Sequence, residues 1–222
     1  MDALEKVRKI HAKHHKSIVL ILSYNGDWNK VGTGFLIEQK GNRCLVMTCY
    51  HVVQGQNVRV RLAGSSFEYV AQILYEHGES DLAILEIDVD LEQPLLKFRE
   101  SSWDVGVEEE VFLGAYYHPE MMGGLTNVVC LNPTVMPGEI CASLAEMETN
   151  PQFTEVVHSC GSLGGCSGGP IIYESEVIGV HYQCQTQIEC AVSSETVNLV
   201  MKTWLGIAND VDCTIEEMIS ML

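Results

Sequence analysis

Gly164-Gly165-Cys166-Ser167-Gly168-Gly169-Pro170 holds more chemical potential than any other stretch of the chain. A serine flanked by glycines suits a nucleophile on a tight turn, because neighbours without side chains let a substrate carbonyl approach closely. The amides of Gly165 and Ser167 can converge on one point, which is what an oxyanion hole requires. A glycine-rich loop alone fits a plain hairpin turn equally well. Two distant segments change the balance. Met47-Thr48-Cys49-Tyr50-His51-Val52-Val53 sets a histidine just past an apolar strand, and Glu79-Ser80-Asp81-Leu82-Ala83-Ile84-Leu85 sets an aspartate just before one. A serine hydroxyl needs a base at neutral pH, and the base needs an orienting carboxylate. His51 alone reads as a loop histidine and Asp81 alone as a turn cap; in the order His, Asp, Ser they form a nucleophilic set.

Such residues must be delivered by rigid elements. Residues 3 to 15 read as a short helix with Leu4, Val7 and Ile10 on one face. Short β-rich runs follow: Ser17 to Tyr24, Gly34 to Glu38, Cys44 to Thr48, Asn57 to Leu62, Phe67 to Tyr75 and Leu82 to Ile87. Residues 88 to 106 are more polar and make a connector. A second β-rich series comprises Val111 to Gly114, Thr126 to Leu131, Ile140 to Ser143, Thr154 to His158, Pro170 to Tyr173, Val177 to Tyr182 and Glu189 to Val192. Glu195 to Leu205 is helical, with Val197, Val200, Met201 and Trp204 on one stripe. Thr214 and Glu217 stand in capping-box spacing before a last short helix. The expected fold is all-β: two six-stranded antiparallel barrels with a short N-terminal and a C-terminal helix. The expected division is a basic helical arm over 1–16, a first barrel over 17–105, a second barrel with its helix over 106–206, and a tail helix over 207–222 packed on the second barrel.

Gly32-Thr33-Gly34-Phe35-Leu36-Ile37, Thr-x-x-His-Val at 48–52, Asp81-Leu82-Ala83-Ile84-Leu85 and Gly-x-Ser-Gly-Gly-Pro at 165–170 resemble the trypsin-like, chymotrypsin-fold serine peptidases. Val177-Ile178-Gly179-Val180 makes the Deg/HtrA-like branch the nearest in pattern, and the resemblance runs over about residues 17 to 206. It implies that Ser167 attacks the scissile carbonyl and His51 shuttles its proton, while Asp81 orients His51 and the Gly165 and Ser167 amides hold the oxyanion. It implies acyl transfer to water through an acyl-enzyme, a protein or peptide substrate, and no metal or organic cofactor.

Some positions depart from that pattern. Cys166 stands where the family usually has Asp or Asn, and a Cys166 nucleophile would resemble the viral cysteine relatives of the fold; the register favours Ser167, which directly precedes Gly168-Gly169. Gly164 beside Gly165 implies a loose oxyanion loop and hence a latent resting enzyme or a module that binds a partner peptide. Gly161 falls where a trypsin-type enzyme carries the acid of its primary pocket, so cleavage after small or apolar residues is expected. Gly179-Val180-His181 also resembles the Gly-x-His of relatives that select Glu or Gln, against the plainer reading of an outward-facing strand histidine. Deg/HtrA proteins often carry a PDZ domain, and these 222 residues leave no room for one, so oligomerisation and substrate recruitment do not follow from the resemblance.

Composition bounds the rest. A chain that is 46% hydrophobic and 19% charged can bury a sizeable core. The net charge of −17 argues against a phosphate-tracking surface, so no nucleic-acid partner is expected. Residues 1–16 carry a net +3, leaving −20 on the remainder, and the arm is expected to be a solvated helix resting on its acidic body. His11, His14 and His15 lack cysteine or carboxylate partners at ligand spacing. No apolar run is long enough to span a bilayer, and the first residues do not read as a secretory signal. Nine cysteines with no Cys-x-x-Cys pair point to a reducing compartment, the cytoplasm or nucleus, although Cys184 and Cys190 stand close enough to pair.

Overall fold

The computed structural model describes residues 2–25, 28–54, 57–118, 132–148, 150–185 and 188–222. The first half folds into an antiparallel sheet of β1 (Ile18–Asn25), β2 (Trp28–Lys40), β3 (Arg43–Cys49), β4 (Asn57–Arg61), β5 (Tyr69–Val70), β6 (Gln72–His77) and β7 (Leu82–Asp88). These are ordered β5-β4-β1-β2-β3-β7-β6. The sheet has seven strands rather than the expected six because the Phe67 to Tyr75 run bends at Ala71. Its first part pairs with β4 and its second with β7, while the Ala71 amide donates to Val58 O (3.0 Å). One bent run of chain thus joins the two ends of the sheet, and closure is achieved by a kinked strand.

The second half is a closed six-stranded barrel of β8 (Glu110–Ala115), β9 (Thr134–Met147), β10 (Asn150–His158), β11 (Pro170–Tyr173), β12 (Glu176–Gln185) and β13 (Ile188–Ser193), ordered β10-β13-β12-β11-β8-β9. The strand expected at Thr126 to Leu131 lies outside the described residues. Val111, Leu113, Ile140, Val156, Ile171 and Ile178 fill the interior of this barrel. A larger core runs from the first sheet into the helices that follow the second barrel. The connector belongs to it: Val89, Leu96 and Phe98 are buried, and Phe98 bridges to Val177 of β12.

Helix α1 (Ala3–His14) lies against β8 and β9. Lys6 pairs with Glu110 at 2.7 Å, as a basic arm on an acidic body should, but His14 is buried rather than solvated. The short helix α2 (Tyr50–Val53) follows β3 directly. Helix α3 (Ser194–Leu205) starts where the Ser193 hydroxyl accepts the Thr196 amide and stops at Gly206, whose φ of 67° suits a residue without a Cβ. Helix α4 (Ile215–Met221) carries the expected capping box between Thr214 and Glu217. It packs on α3 and β2, with Lys40 of the first sheet donating to Ser220 O (2.6 Å) and the Ile215 amide donating to Glu100 (3.1 Å). The tail therefore clasps the first sheet and the connector, not the second barrel alone, because Ile215, Met218 and Ile219 find their apolar cover in the larger core. Among the described residues no helix is long and apolar enough to cross a membrane.

The capping box makes a local prediction. Thr214→Ala removes the acceptor for the Glu217 amide and should cost about 1 kcal/mol in a denaturation experiment; an unchanged midpoint would show that α4 is held by its apolar face alone.

Candidate active site

Strand β3 is apolar and buried from Cys44 to Cys49, so its end is fixed in the core and α2 presents His51 at a defined point. Asp81 sits at the start of β7, the neighbour of β3, with the Cys49↔Leu82 pair marking the end of the ladder. It is held there in a left-handed conformation, φ 56°, which aspartate tolerates better than most residues. The turn before it is tied by His77 and Ser80. The Ser80 amide donates to His77 Nδ1 (3.2 Å), and the Ser80 hydroxyl lies 2.9 Å from the same nitrogen. The Asp81 carboxylate then grips His51 twice, accepting its amide at Oδ1 (2.8 Å) and its Nδ1–H at Oδ2 (2.5 Å). The Asp81 carbonyl also accepts the Tyr50 amide at 3.0 Å. This leaves His51 Nε2 as the ring atom turned to other partners.

The loop from Gly164 to Gly169 brings Ser167 to the same place. His51, Ser167, Gly164, Gly165, His118 and Lys30 line one cleft of about 380 Å³. The loop's carbonyls are individually anchored: Gly164 O accepts the His118 amide (2.6 Å), Gly165 O the Thr33 hydroxyl (2.8 Å) and Ser167 O the Thr33 amide (2.8 Å). In a trans peptide the C=O and N–H point in opposite directions. Fastening Gly164 O toward His118 therefore turns the Gly165 N–H away from His118. Gly165, one of the two adjacent glycines, is held by close packing rather than left loose. Gly165 has φ 102°, and a Cβ there would lie 2.6 Å from His118 N; a Cβ on Gly168 (φ 88°) would lie 2.0 Å from Thr33 O. Both glycines are required by close backbone approach.

Cys166 points the other way, wholly buried in the second barrel, with its sulfur accepting the Leu163 amide at 3.5 Å. It is in no position to attack a substrate. Cys49 is likewise buried, its thiol donates to His181 O (3.3 Å), and desolvation holds its pKa well above the usual range. Cys44, Cys49, Cys141, Cys160, Cys166, Cys190 and Cys213 are free thiols. The side chain of Cys184 lies outside the described residues, as does Cys130. Among the described residues two sets have metal-ligand types within reach of one another, Cys49/His51/Asp81 and His158/His181/Glu189. In the first, the protonated thiol and the Asp81–His51 bond already use the donors.

Thr33, Lys30 and His118 were not legible as site residues from the sequence. Thr33 lies inside the Gly32-Thr33-Gly34 motif, which is the one signal that could have marked it. Lys30 reaches the His51 carbonyl with its ammonium (3.1 Å).

A model of the trypsin-like peptidase domain family matches residues 32–180, and the chain belongs to that family. A mitochondrial Do-like protease of Arabidopsis thaliana is 31% identical over 156 residues, covering 68% of this chain and 29% of the relative. A periplasmic DegP-like serine endoprotease of Marinomonas sp. (strain MWYL1) is 24% identical over 200 residues, 82% of this chain and 39% of the relative. The chain thus spans well under half the length of either curated relative. In fold it is similar to the active form of the Rv3671c protease from M. tuberculosis (TM-score 0.73, 22% identity, covering 95% of this chain and 90% of that one). It is also similar to an HtrA-type protease, AlgW S227A with a tripeptide (TM-score 0.72, 17% identity, 89% and 62% covered).

Two outcomes follow for the isolated protein. Thr33→Val keeps the shape but strands the buried Tyr116 amide, which donates to Thr33 Oγ1 at 2.9 Å, and frees Gly165 O. A loss of about 1–3 kcal/mol in urea denaturation is expected, and an unaltered midpoint would contradict the role given to this hydroxyl. Burial also pushes His14 and His158 from 6.5 to about 4 and His181 to about 3. Below pH 6.5 the unfolded chain binds protons that these folded histidines refuse, so stability should fall as pH drops from about 6.5 toward 4. Melting temperatures that rise over that interval would be inconsistent with neutral, buried rings.

Proposed function

We propose that the protein is a serine endopeptidase in which Ser167 is the nucleophile, His51 its general base and later general acid, and Asp81 the group that orients His51. The observation that carries this reading is the double hydrogen bond from His51 to the Asp81 carboxylate, with Ser167 on the same cleft. The Asp81 bond to Nδ1–H leaves the Nε2 lone pair to take the Ser167 proton and stabilises the imidazolium that forms. The resulting alkoxide adds to the scissile carbonyl, and the Gly165 and Ser167 amides hold the oxyanion, each donor being worth roughly 3 kcal/mol in such sites. His51 then protonates the leaving amine, and water releases the acyl group by the reverse sequence. No step requires a metal or organic cofactor.

The substrate is a protein or peptide. The absence of an acid at Gly161 supports small or apolar residues before the scissile bond, and His181, buried on β12 rather than facing outward, supports Glu or Gln. Seven free thiols among the described residues support a reducing compartment such as the cytoplasm or nucleus.

Reaction with a fluorophosphonate, read by intact mass, should give one adduct on the wild type and on Cys166→Ala and none on Ser167→Ala. Asp81→Asn should lower kcat by about 10⁴-fold through the wrong His51 tautomer. Labelling that survives Ser167→Ala would remove Ser167 from the mechanism.

A further inference from the structure

The cleft beside Ser167 carries a charge pattern opposite to that of the chain around it. The protein has 30 acidic residues against 13 Lys and Arg, yet among the described residues no carboxylate lines this cleft. Its walls are Lys30 and Val31 of β2, Val52 of α2 and His118, just past β8. Strand β1 fixes the backbone of Lys30, which pairs with Ser23 in a ladder that runs without a shift to Ile18↔Phe35. The exposed Lys30 side chain is in turn tethered, because its ammonium donates to the His51 carbonyl at 3.1 Å. An ammonium has three N–H donors and no acceptor, so this one bond leaves it two donors and its full charge. Among the described residues it makes no ion pair.

The reaction dictates which half of a substrate reaches these walls. A base that takes the serine proton returns it to the leaving amine, so the chain beyond the scissile bond must pass beside His51. Lys30, Val31 and Val52 stand around His51 on this cleft, with Gly164 and Gly165 alongside Ser167. Neither Gly161 nor His181, the positions assigned above to the residue before the bond, lines it. The cleft is therefore the seat of the first residues released with the amine. The bond to the His51 carbonyl holds the Lys30 ammonium at one place along that path, which lowers the entropy lost when a partner binds it.

We propose that Lys30 selects substrates with an aspartate or glutamate in the first two positions after the scissile bond. The preference depends on His51 and Ser167 acting as proposed above, and it adds a charge requirement on the leaving side of that same site. A carboxylate accepts the two remaining ammonium protons and gains the charge attraction. An asparagine or glutamine offers a neutral oxygen, an alanine offers none, and a lysine is repelled. Lys30 is exposed, so water and salt screen the pair and the selection is a few-fold rather than orders of magnitude. The net charge of −17 opposes every acidic peptide alike, so the local preference shows between peptides of equal charge that differ only in where the acid stands.

The test is a set of internally quenched peptides, amidated so that no terminal carboxylate enters the cleft and identical before the cleaved bond. They carry Asp, Glu, Asn, Gln, Ala or Lys in the first or second position after it, and each acidic peptide has an isomer with the acid moved to its far end. Fluorophosphonate labelling of Ser167 is the independent readout. In the wild type, kcat/KM for Asp or Glu in at least one of the two positions should exceed that for the isomer and for the matching amide by about two- to fivefold. Lys30→Met should bring these ratios to about one, and Lys30→Glu should reverse them, so that the Lys peptide is cleaved faster than the Asp peptide. A purely structural role for the Lys30–His51 bond would lower all rates together and give no reversal. A wild type that labels but does not separate the isomers, or a Lys30→Met variant that keeps the preference, overturns the proposal and leaves Ser167 in place. Wild-type protein that neither labels nor cleaves any peptide overturns the hydrolytic reading, and the preference with it. If the Lys30 variants do not fold, the wild-type comparison of isomers decides the matter.

Discussion

Four hydrogen bonds converge on Thr33, and the relation between the two halves of the molecule at the cleft depends on them. Its amide and hydroxyl donate to the carbonyls of Ser167 and Gly165, its hydroxyl accepts the Tyr116 amide, and its carbonyl accepts the Thr48 hydroxyl (2.7 Å). Strand β2 of the first sheet is thereby joined to β3, to the end of β8 and to the loop that carries Ser167. Thr33 is fully buried, so each of these bonds is made away from competing water. A threonine meets the requirement because its side chain both donates and accepts within the reach of one residue. The glycines on either side follow from the same crowding: a Cβ on Gly34 would meet Val46 at 2.7 Å and Met47 O at 2.9 Å.

The His51–Asp81 pair rests on the other side of this seam. Both residues hang from the ends of β3 and β7, adjacent strands whose buried ladder runs without a register shift from Arg43↔Asp88 to Cys49↔Leu82. The ladder holds the two ends a fixed distance apart, and the His77–Ser80 turn sets the angle at which Asp81 leaves β7. Asp81, His51 and the Ser167 loop are thus carried by strand ends, and the loop between Gly164 and Gly169 is tied to them through its anchored carbonyls. This is the arrangement a reaction needs when a small displacement of the reacting atoms costs orders of magnitude in rate.

The fold and the cleft were legible in different degrees. Strand positions followed from alternating apolar runs and turn residues because burial on one or two faces imposes that pattern. The bend at Ala71 was not legible, since a strand that changes partners midway keeps the same β-forming composition on both sides of the bend. The tail helix announced itself through Thr214 and Glu217, a contact within four residues, but its seat against β2 depends on which apolar surface lies open after both halves have folded. His51, Asp81 and Ser167 stood out because each lies in a local motif. His158 and Glu189 did not, because an isolated histidine or glutamate in a strand carries no local mark of the partner it will face across a barrel.

What the sequence by itself determined is the inventory and its order: two β-rich halves, the helix caps, a histidine and an aspartate at strand ends, and a serine in a glycine-rich loop. Those features are short-range, written in periodicity, capping and backbone freedom that act over a few residues. The tertiary structure alone decided that Thr33 would bind the Gly164–Gly169 loop, that Cys166 would turn inward while Ser167 faces the cleft, and that His158, His181 and Glu189 would share one buried environment. Each of those outcomes joins residues separated by between eight and about 134 positions, and such contacts arise only when closed sheets bring distant strands together and exclude water from the space between them.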